Sequence, residues 1–268
     1  MAVHLMTDLN DERIACYQEL RDANRFRGAG RFIAEGWRVV ERLLNSDLQI
    51  DSVLISERRQ ELFADRFADR AEVFVMPQKQ AEQLVGYNFH AGVLACAVRP
   101  EFASLEQLRG PHGLIVCCPQ IHGPDNLGSI IRLMRGFGAD GLLLGTESAD
   151  PYLRRVVRVS MGTIFGLPIG RSNSLPQDLL ILKESGYRII AAEESAHSQP
   201  LPLPQDMDSF PRQVLILGNE AEGVAPELLE LCDEIFHIPM QPGVDSLNVA
   251  DAAAIFLYHF ASVRRHLG

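Results

Sequence analysis

Three short turns concentrate the residue types that bind ligands and move protons. They are Gly123-Pro124-Asp125-Asn126-Leu127-Gly128 running into Arg132, Leu217-Gly218-Asn219-Glu220-Ala221-Glu222-Gly223, and Asp245-Ser246-Leu247-Asn248-Val249. Each adjoins an apolar segment, and α/β proteins build ligand sites at such strand ends, where backbone N–H groups and helix starts are free. Arg132 lies six residues beyond Asn126, about 9 Å along a helix, within reach of a ligand in the loop. Gly218 permits close backbone approach, and Gly223 permits a tight turn. The second turn is not GxGxxG, and it lacks the Lys-Ser/Thr of a phosphate-cradling P-loop. Glu220 and Glu222 repel a triphosphate and suit a cationic or neutral ligand, and a sulfonium fits that charge logic. Each turn also has a plain structural reading. Asn126, Ser246 or Asn248 can cap a helix, and Asp251 suits the positive end of the last helix dipole. The loop Pro239-Met240-Gln241-Pro242-Gly243 is suited to wrap a flat ring with backbone groups.

The elements around these turns alternate. Leu114-Ile115-Val116-Cys117-Cys118 is a continuous apolar run, as in a strand covered on both faces. A helix is expected from about Leu127 to Gly138. Further strands are expected at Leu142–Leu144, Ile164–Ile169, Arg188–Ala192, Gln213–Leu217 and Glu234–Pro239, with a last helix over Leu247–Leu267. Alternating strands and helices imply an α/β fold with a mostly parallel sheet. Before residue 100 the pattern is a smaller α/β unit. It carries helices near 10–24, 35–45, 58–68 and 77–85, and strands near 52–55, 72–76 and 92–98. The organisation is therefore 1–100 as one domain, 101–112 as a linker, and 113–268 as a second domain.

Composition bounds the partners. The chain has 268 residues, 47% of them apolar, enough for a sizeable core. No apolar run reaches the length of a membrane span, and the N-terminus lacks signal-peptide features, so a cytoplasmic protein is expected. Five cysteines without CxxC spacing argue against a disulfide framework, and no metal site is expected. The net charge of −10 disfavours nucleic acid. Against this, Lys79 and Lys183 are the only lysines among 25 basic residues, and the rest are arginines, whose planar fork suits phosphates and base edges. They cluster at Arg21, Arg25, Arg27 and Arg31, and at Arg154, Arg155 and Arg158.

Taken in order, Pro124-x-Asn126-x-Gly128 with Arg132, Gly218-x-Glu220-x-x-Gly223, and Ser246-Leu247-Asn248-Val249 resemble the three motifs of SpoU/TrmH-type RNA 2'-O-ribose methyltransferases of the SPOUT class. Val156-Val157-Arg158-Val159-Ser160-Met161-Gly162 is similar to a further segment of that family. Phe32-Ile33-Ala34-Glu35-Gly36 resembles the start of its accessory RNA-binding domain. The resemblance spans essentially the whole chain. It implies an α/β domain with a deep C-terminal trefoil knot, a smaller N-terminal α/β RNA-binding domain, and a homodimer. It implies S-adenosylmethionine bound by Gly218, Ile238 and Leu247, with Glu220 and Gly223 in the cofactor loop. It implies catalytic roles for Arg132, Asn126, Ser246 and Asn248, and an rRNA or tRNA substrate methylated on a ribose 2'-hydroxyl. Two other readings stand beside it: a non-catalytic RNA-binding protein that retains the fold, and an ordinary Rossmann oxidoreductase, which the absent GxGxxG opposes.

Overall fold

The structure is a computed structural model that describes residues 3–18, 20, 30–67, 69–204, 212–219, 221–241, 243 and 246–266. Arg21, Arg25, Arg27, Glu220 and Asp245 lie outside the described residues. The chain divides into two compact units, 1–101 with 151–166, and 102–150 with 167–268.

The first unit is built on strands β1 (Val3–Leu5), β2 (Arg31–Glu35), β3 (Ile50–Ser56), β4 (Glu72–Met76) and β5 (Val93–Val98), in the order β1-β4-β3-β5-β2. β1, β4 and β3 run parallel, while β5 is antiparallel to both β3 and β2. Helices α1 (Trp37–Leu44), α2 (Gln60–Phe67) and α3 (Gln78–Val85) connect them. Their amphipathic spacing buries Val39, Val40 and Leu43 from α1, and Ala81, Leu84 and Val85 from α3. In the described part of 10–24, the expected helix is a short 3-10 helix, Glu12–Tyr17. Asp11 caps it through Arg13 N, and Gln18 then leaves helical space at ψ 136°.

The segment 151–166, including α5 (Arg154–Val159), packs on this first unit rather than with its sequence neighbours. Phe32 meets Tyr152 and Phe165, at ring centroid distances of 5.2 and 5.7 Å. Arg154 Nη1 donates to Glu35 Oε2 at 2.6 Å, and Arg42 Nη1 to the Met161 carbonyl at 2.7 Å. These partners are 119 residues apart, a pairing that spacing does not reveal.

The second unit holds seven described strands in the order β10-β12-β9-β11-β6-β7-β8, all parallel. They are β6 (Leu114–Cys118), β7 (Gly141–Leu144), β8 (Ile169–Arg171), β9 (Arg188–Ala192), β10 (Gln199–Pro200), β11 (Gln213–Leu217) and β12 (Glu234–His237). Helices are α4 (Pro124–Phe137), α6 (Leu175–Glu184), α7 (Pro226–Leu229) and α8 (Val249–His266). β6 and β11 are buried throughout because helices cover both sheet faces. α4 begins with Pro124 in its first turn and ends at Gly138 with φ +75°, the usual proline-start, glycine-stop pattern. The strand expected over 164–169 starts only at Ile169, since Ile164 belongs to a turn of the first unit. The expected linker packs into the second unit from Phe102 onward. Leu108 is fully buried, Ala103 N donates to the Ile169 carbonyl at 2.7 Å, and Leu108 O leaves no room for a Cβ at Gly141.

Leu215 sits fully buried at the centre of β11, paired to β6 on one side and β9 on the other. Leu215→Ala should destabilise the protein by about 2–5 kcal/mol, through lost transfer energy and a residual cavity. Urea unfolding measures this, and a loss under about 1 kcal/mol would mean that the site collapses around the smaller side chain.

Candidate active site

Three strands of the second unit, β9, β11 and β12, end at one cleft. β11 exits into a loop that closes on itself. Asn219 N donates to Gly223 O at 2.8 Å and Gly223 N to Asn219 O at 3.0 Å, an antiparallel bridge of one residue pair. Closure brings Gly218 against the far side of the loop. A Cβ at 218 would lie 2.5 Å from the Gly223 carbonyl carbon and 2.7 Å from Val224 N, both backbone atoms that cannot yield. Gly223 adopts φ +70°, a left-handed conformation that costs a side-chain-bearing residue, and its missing Cβ leaves space for the Glu193 carboxylate.

Asn219 fixes the loop from three directions. Its Oδ1 accepts from Ala221 N at 2.8 Å and from Glu222 N at 3.2 Å. Its Nδ2 donates to the Gln120 carbonyl at 2.9 Å, tying the β11 exit to the loop after β6. Glu193, at the β9 exit, accepts from Val224 N at 3.0 Å. Burial pushes the Glu193 carboxyl above the usual carboxylate range, and the neighbouring Glu194 adds to the rise.

The cleft is about 410 Å³. Its apolar walls include Ile238, Met240, Leu247 and Phe256, and its carboxylates are Glu193, Glu194 and Glu222. No Lys or Arg is among the described lining residues. Such a cleft takes an amphiphilic ligand, with a flat apolar part on the walls and positive charge near the carboxylates. It is a poor place for a phosphate. Among the described residues, no cluster of three His, Cys, Asp or Glu could hold a metal ion. Among them also, no helix is long and apolar enough to cross a membrane.

The structure brings Gly218, Gly223, Ile238, Ser246 and Leu247 together in this lining. Glu220 lies outside the described residues. Asn126, Arg132 and Asn248 are not in the lining. Asn126 and Asn248 nevertheless meet across 122 residues, Asn248 Nδ2 donating to Asn126 Oδ1 at 3.0 Å. Asn248 Oδ1 also accepts from Ala250 N at 2.8 Å, so it caps α8 while holding the start of α4. α4 and α8 pack side by side, with Phe137 edge-on to Tyr258 at 6.0 Å. Arg132 is exposed on α4. Sequence reasoning missed Glu193, Glu194 and the anchoring role of Asn219. Two adjacent glutamates directly after a buried strand were the signal for the first pair.

The family model for the SpoU rRNA methylases matches residues 113–258, and the model for RNA 2'-O ribose methyltransferase substrate binding matches residues 33–103. The tRNA/rRNA methyltransferase Mb0905 of Mycobacterium bovis is 33% identical over 266 residues, 97% of this chain and 92% of that protein. The 23S rRNA (guanosine(2553)-2'-O)-methyltransferase RlmP of Bacillus subtilis is 26% identical, across 93% of this chain and 96% of its own. The crystal structure of an AdoMet-bound rRNA methyltransferase from Sinorhizobium meliloti is similar at TM-score 0.82 and 26% identity, covering 99% of both chains.

Gly218→Ala should force the 218–223 loop open, because the added carbon meets backbone on the opposite side. Calorimetry should show S-adenosylhomocysteine affinity falling by at least about tenfold, or 1.4 kcal/mol. Unchanged affinity would mean the cleft does not depend on loop closure. A second expectation follows from the raised Glu193 carboxyl. The native state holds its proton more tightly than the unfolded chain, so this group's stabilisation is present below the ordinary carboxylate pKa. It is lost as pH rises through the elevated native value. Glu193→Gln should flatten that part of the stability–pH curve, as measured by denaturant unfolding at a series of pH values.

Proposed function

The chain belongs to the SpoU rRNA methylase family and is an S-adenosylmethionine-dependent RNA methyltransferase with the SPOUT fold, including its C-terminal trefoil knot; from this premise we propose that it methylates a ribose 2'-hydroxyl, and we assign roles to its residues. The observation that carries the assignment is the acidic, apolar-walled cleft closed by Gly218, Asn219 and Gly223. The residues present fit S-adenosylmethionine: Ile238, Met240 and Leu247 suit an adenine ring, and Glu193, Glu194 and Glu222 suit a sulfonium. When bound, the cofactor supplies an electrophilic methyl group.

The 2'-hydroxyl is a weak nucleophile and must lose its proton as it attacks. We assign Arg132 to this step. A guanidinium stays protonated in proteins, so Arg132 does not act as a base. Its part is electrostatic: it stabilises the forming alkoxide, or orients a phosphate that takes the proton. The Asn126–Asn248 pair holds the starts of α4 and α8 together and so sets where Arg132 stands relative to the cleft. Ser246, in the lining, is assigned to the edge of the substrate site. Glu220 is assigned to shaping the cofactor loop with Gly223.

Residues 1–100 are read as the RNA-holding domain and 113–268 as the transfer domain. The rRNA substrate named for RlmP and the match to the SpoU rRNA methylase model favour ribosomal over transfer RNA. A homodimer is also proposed. In its support, α8 exposes Ile255 at 40% and Tyr258 at 60%, three residues apart and so on one helix face. A cytoplasmic location is proposed with the RNA substrate.

Arg132→Ala tests the reading. Methyl transfer to ribosomal RNA should fall by at least about a hundredfold, as for loss of an electrostatic stabiliser, while S-adenosylhomocysteine affinity stays within about twofold. Near-normal turnover in the variant would remove Arg132 from the mechanism.

A further inference from the structure

The first unit contains a second cleft, of about 650 Å³, that the transfer reaction does not use. It opens at the start of α1 and is lined by Arg38, Arg154 and Arg158, by the aromatic groups Trp37 and Tyr87, and by Asn88 and His90. Glu35 at its floor is its one carboxylate, so the three arginines leave an excess of positive charge in a chain whose net charge is −10. Glu35 is 8% exposed and accepts from Arg154 Nη1 at 2.6 Å, with Arg158 Nη1 at 3.7 Å. It therefore orders two guanidinium groups whose side chains remain 28% and 42% exposed. Arg154 also lies over the Tyr87 ring at 4.7 Å, so its orientation is fixed from both sides.

Three further features describe a site rather than a patch of surface charge. α1 starts at Gly36 with no side-chain cap, and Gly36, Trp37, Arg38 and Val39 at its start line the cleft. The Tyr87 hydroxyl is buried beside the Glu35 carboxylate without a hydrogen bond of good geometry, and such groups call for an explanation. Met161, also in the lining, has φ 56°, the one non-glycine with positive φ among the described residues. Arg42 holds its carbonyl at 2.7 Å. Backbone strain of this kind concentrates at ligand sites.

We propose that this cleft binds one unpaired nucleotide of the RNA substrate. Arg38, Arg158 and the α1 N-terminus take its phosphate, and Asn88 and His90 face its base edge. The volume lies within the range of small-ligand sites. An unpaired nucleotide supplies both the anion and the flat, hydrogen-bonding group that this lining matches, and single-stranded segments are where proteins read RNA. The proposal rests on the reading of the chain as an RNA methyltransferase. It adds a point of RNA contact made jointly by the 33–103 region and by α5, which lies outside that region.

Trp37 is the chain's single tryptophan, so its fluorescence reports on this cleft. The probes are single-stranded RNA of random sequence and, separately, adenosine 5'-monophosphate. Titration of the wild-type protein with RNA should change the emission saturably. The double variant Arg38→Ala, Arg158→Ala should bind RNA at least about tenfold more weakly and lower the salt slope of binding by roughly 1 to 2. The charge-keeping variant Arg38→Lys, Arg158→Lys should recover most of that loss. S-adenosylhomocysteine affinity, which belongs to the other unit, should stay unchanged in both, and an unchanged circular dichroism spectrum certifies that the first unit folds. No saturable emission change in the wild type, or equal RNA affinity in the alanine variant, overturns the proposal. Adenosine monophosphate binding as tightly as RNA also overturns it, in favour of a free-nucleotide site. Wild-type protein that transfers no methyl group to any RNA is a separate result, and it counts against the enzyme reading itself.

Discussion

The catalytic unit depends on a loop that can close only because two positions lack a side chain. Gly218 lets the β11 exit touch its own return, and Gly223 turns left-handed above the Glu193 carboxylate. Asn219 then spends its whole side chain on backbone partners, two inside the loop and one in the loop after β6. The result is a cleft edged by this closed loop, whose charge comes from glutamates. That combination selects a cation with an apolar body and rejects phosphate. It also separates the two binding problems of the enzyme. On the reading proposed above, the acidic cleft takes the cofactor and arginines elsewhere hold the RNA.

This separation reconciles the net charge of −10 with a polyanionic substrate. Binding a nucleic acid needs local positive potential rather than a basic protein. In the first unit Glu35 pairs with Arg154 and Arg158 on α5, which fixes them in place without cancelling them. In the second unit the Asn248–Asn126 hydrogen bond joins the start of α8 to that of α4 and defines the helix that carries Arg132.

Much of this was legible in the sequence. The buried parallel strands, the terminating glycines and the three polar turns were readable because each rests on local spacing and residue type. Gly218, Gly223, Ser246 and Leu247 of the second and third turns share one lining with Ile238. What was not legible depends on long-range contact. The segment 151–166 lies between elements of the second unit in sequence and packs on the first, because its partners Phe32 and Glu35 lie more than a hundred residues upstream. Residues 101–112 read as a linker because they are polar and proline-flanked, yet Leu108 anchors them in the second core. Glu193 was hidden because its role depends on a glycine thirty residues later leaving room for it.

The central claim is that this chain moves a methyl group from S-adenosylmethionine to a ribose oxygen of RNA. The most direct measurement is incubation with methyl-labelled S-adenosylmethionine and ribosomal RNA lacking its native modifications, followed by digestion to nucleosides and chromatography. The account predicts label in a 2'-O-methylated nucleoside. Label on a base, or transfer to no RNA by a folded protein that binds S-adenosylhomocysteine, would contradict it.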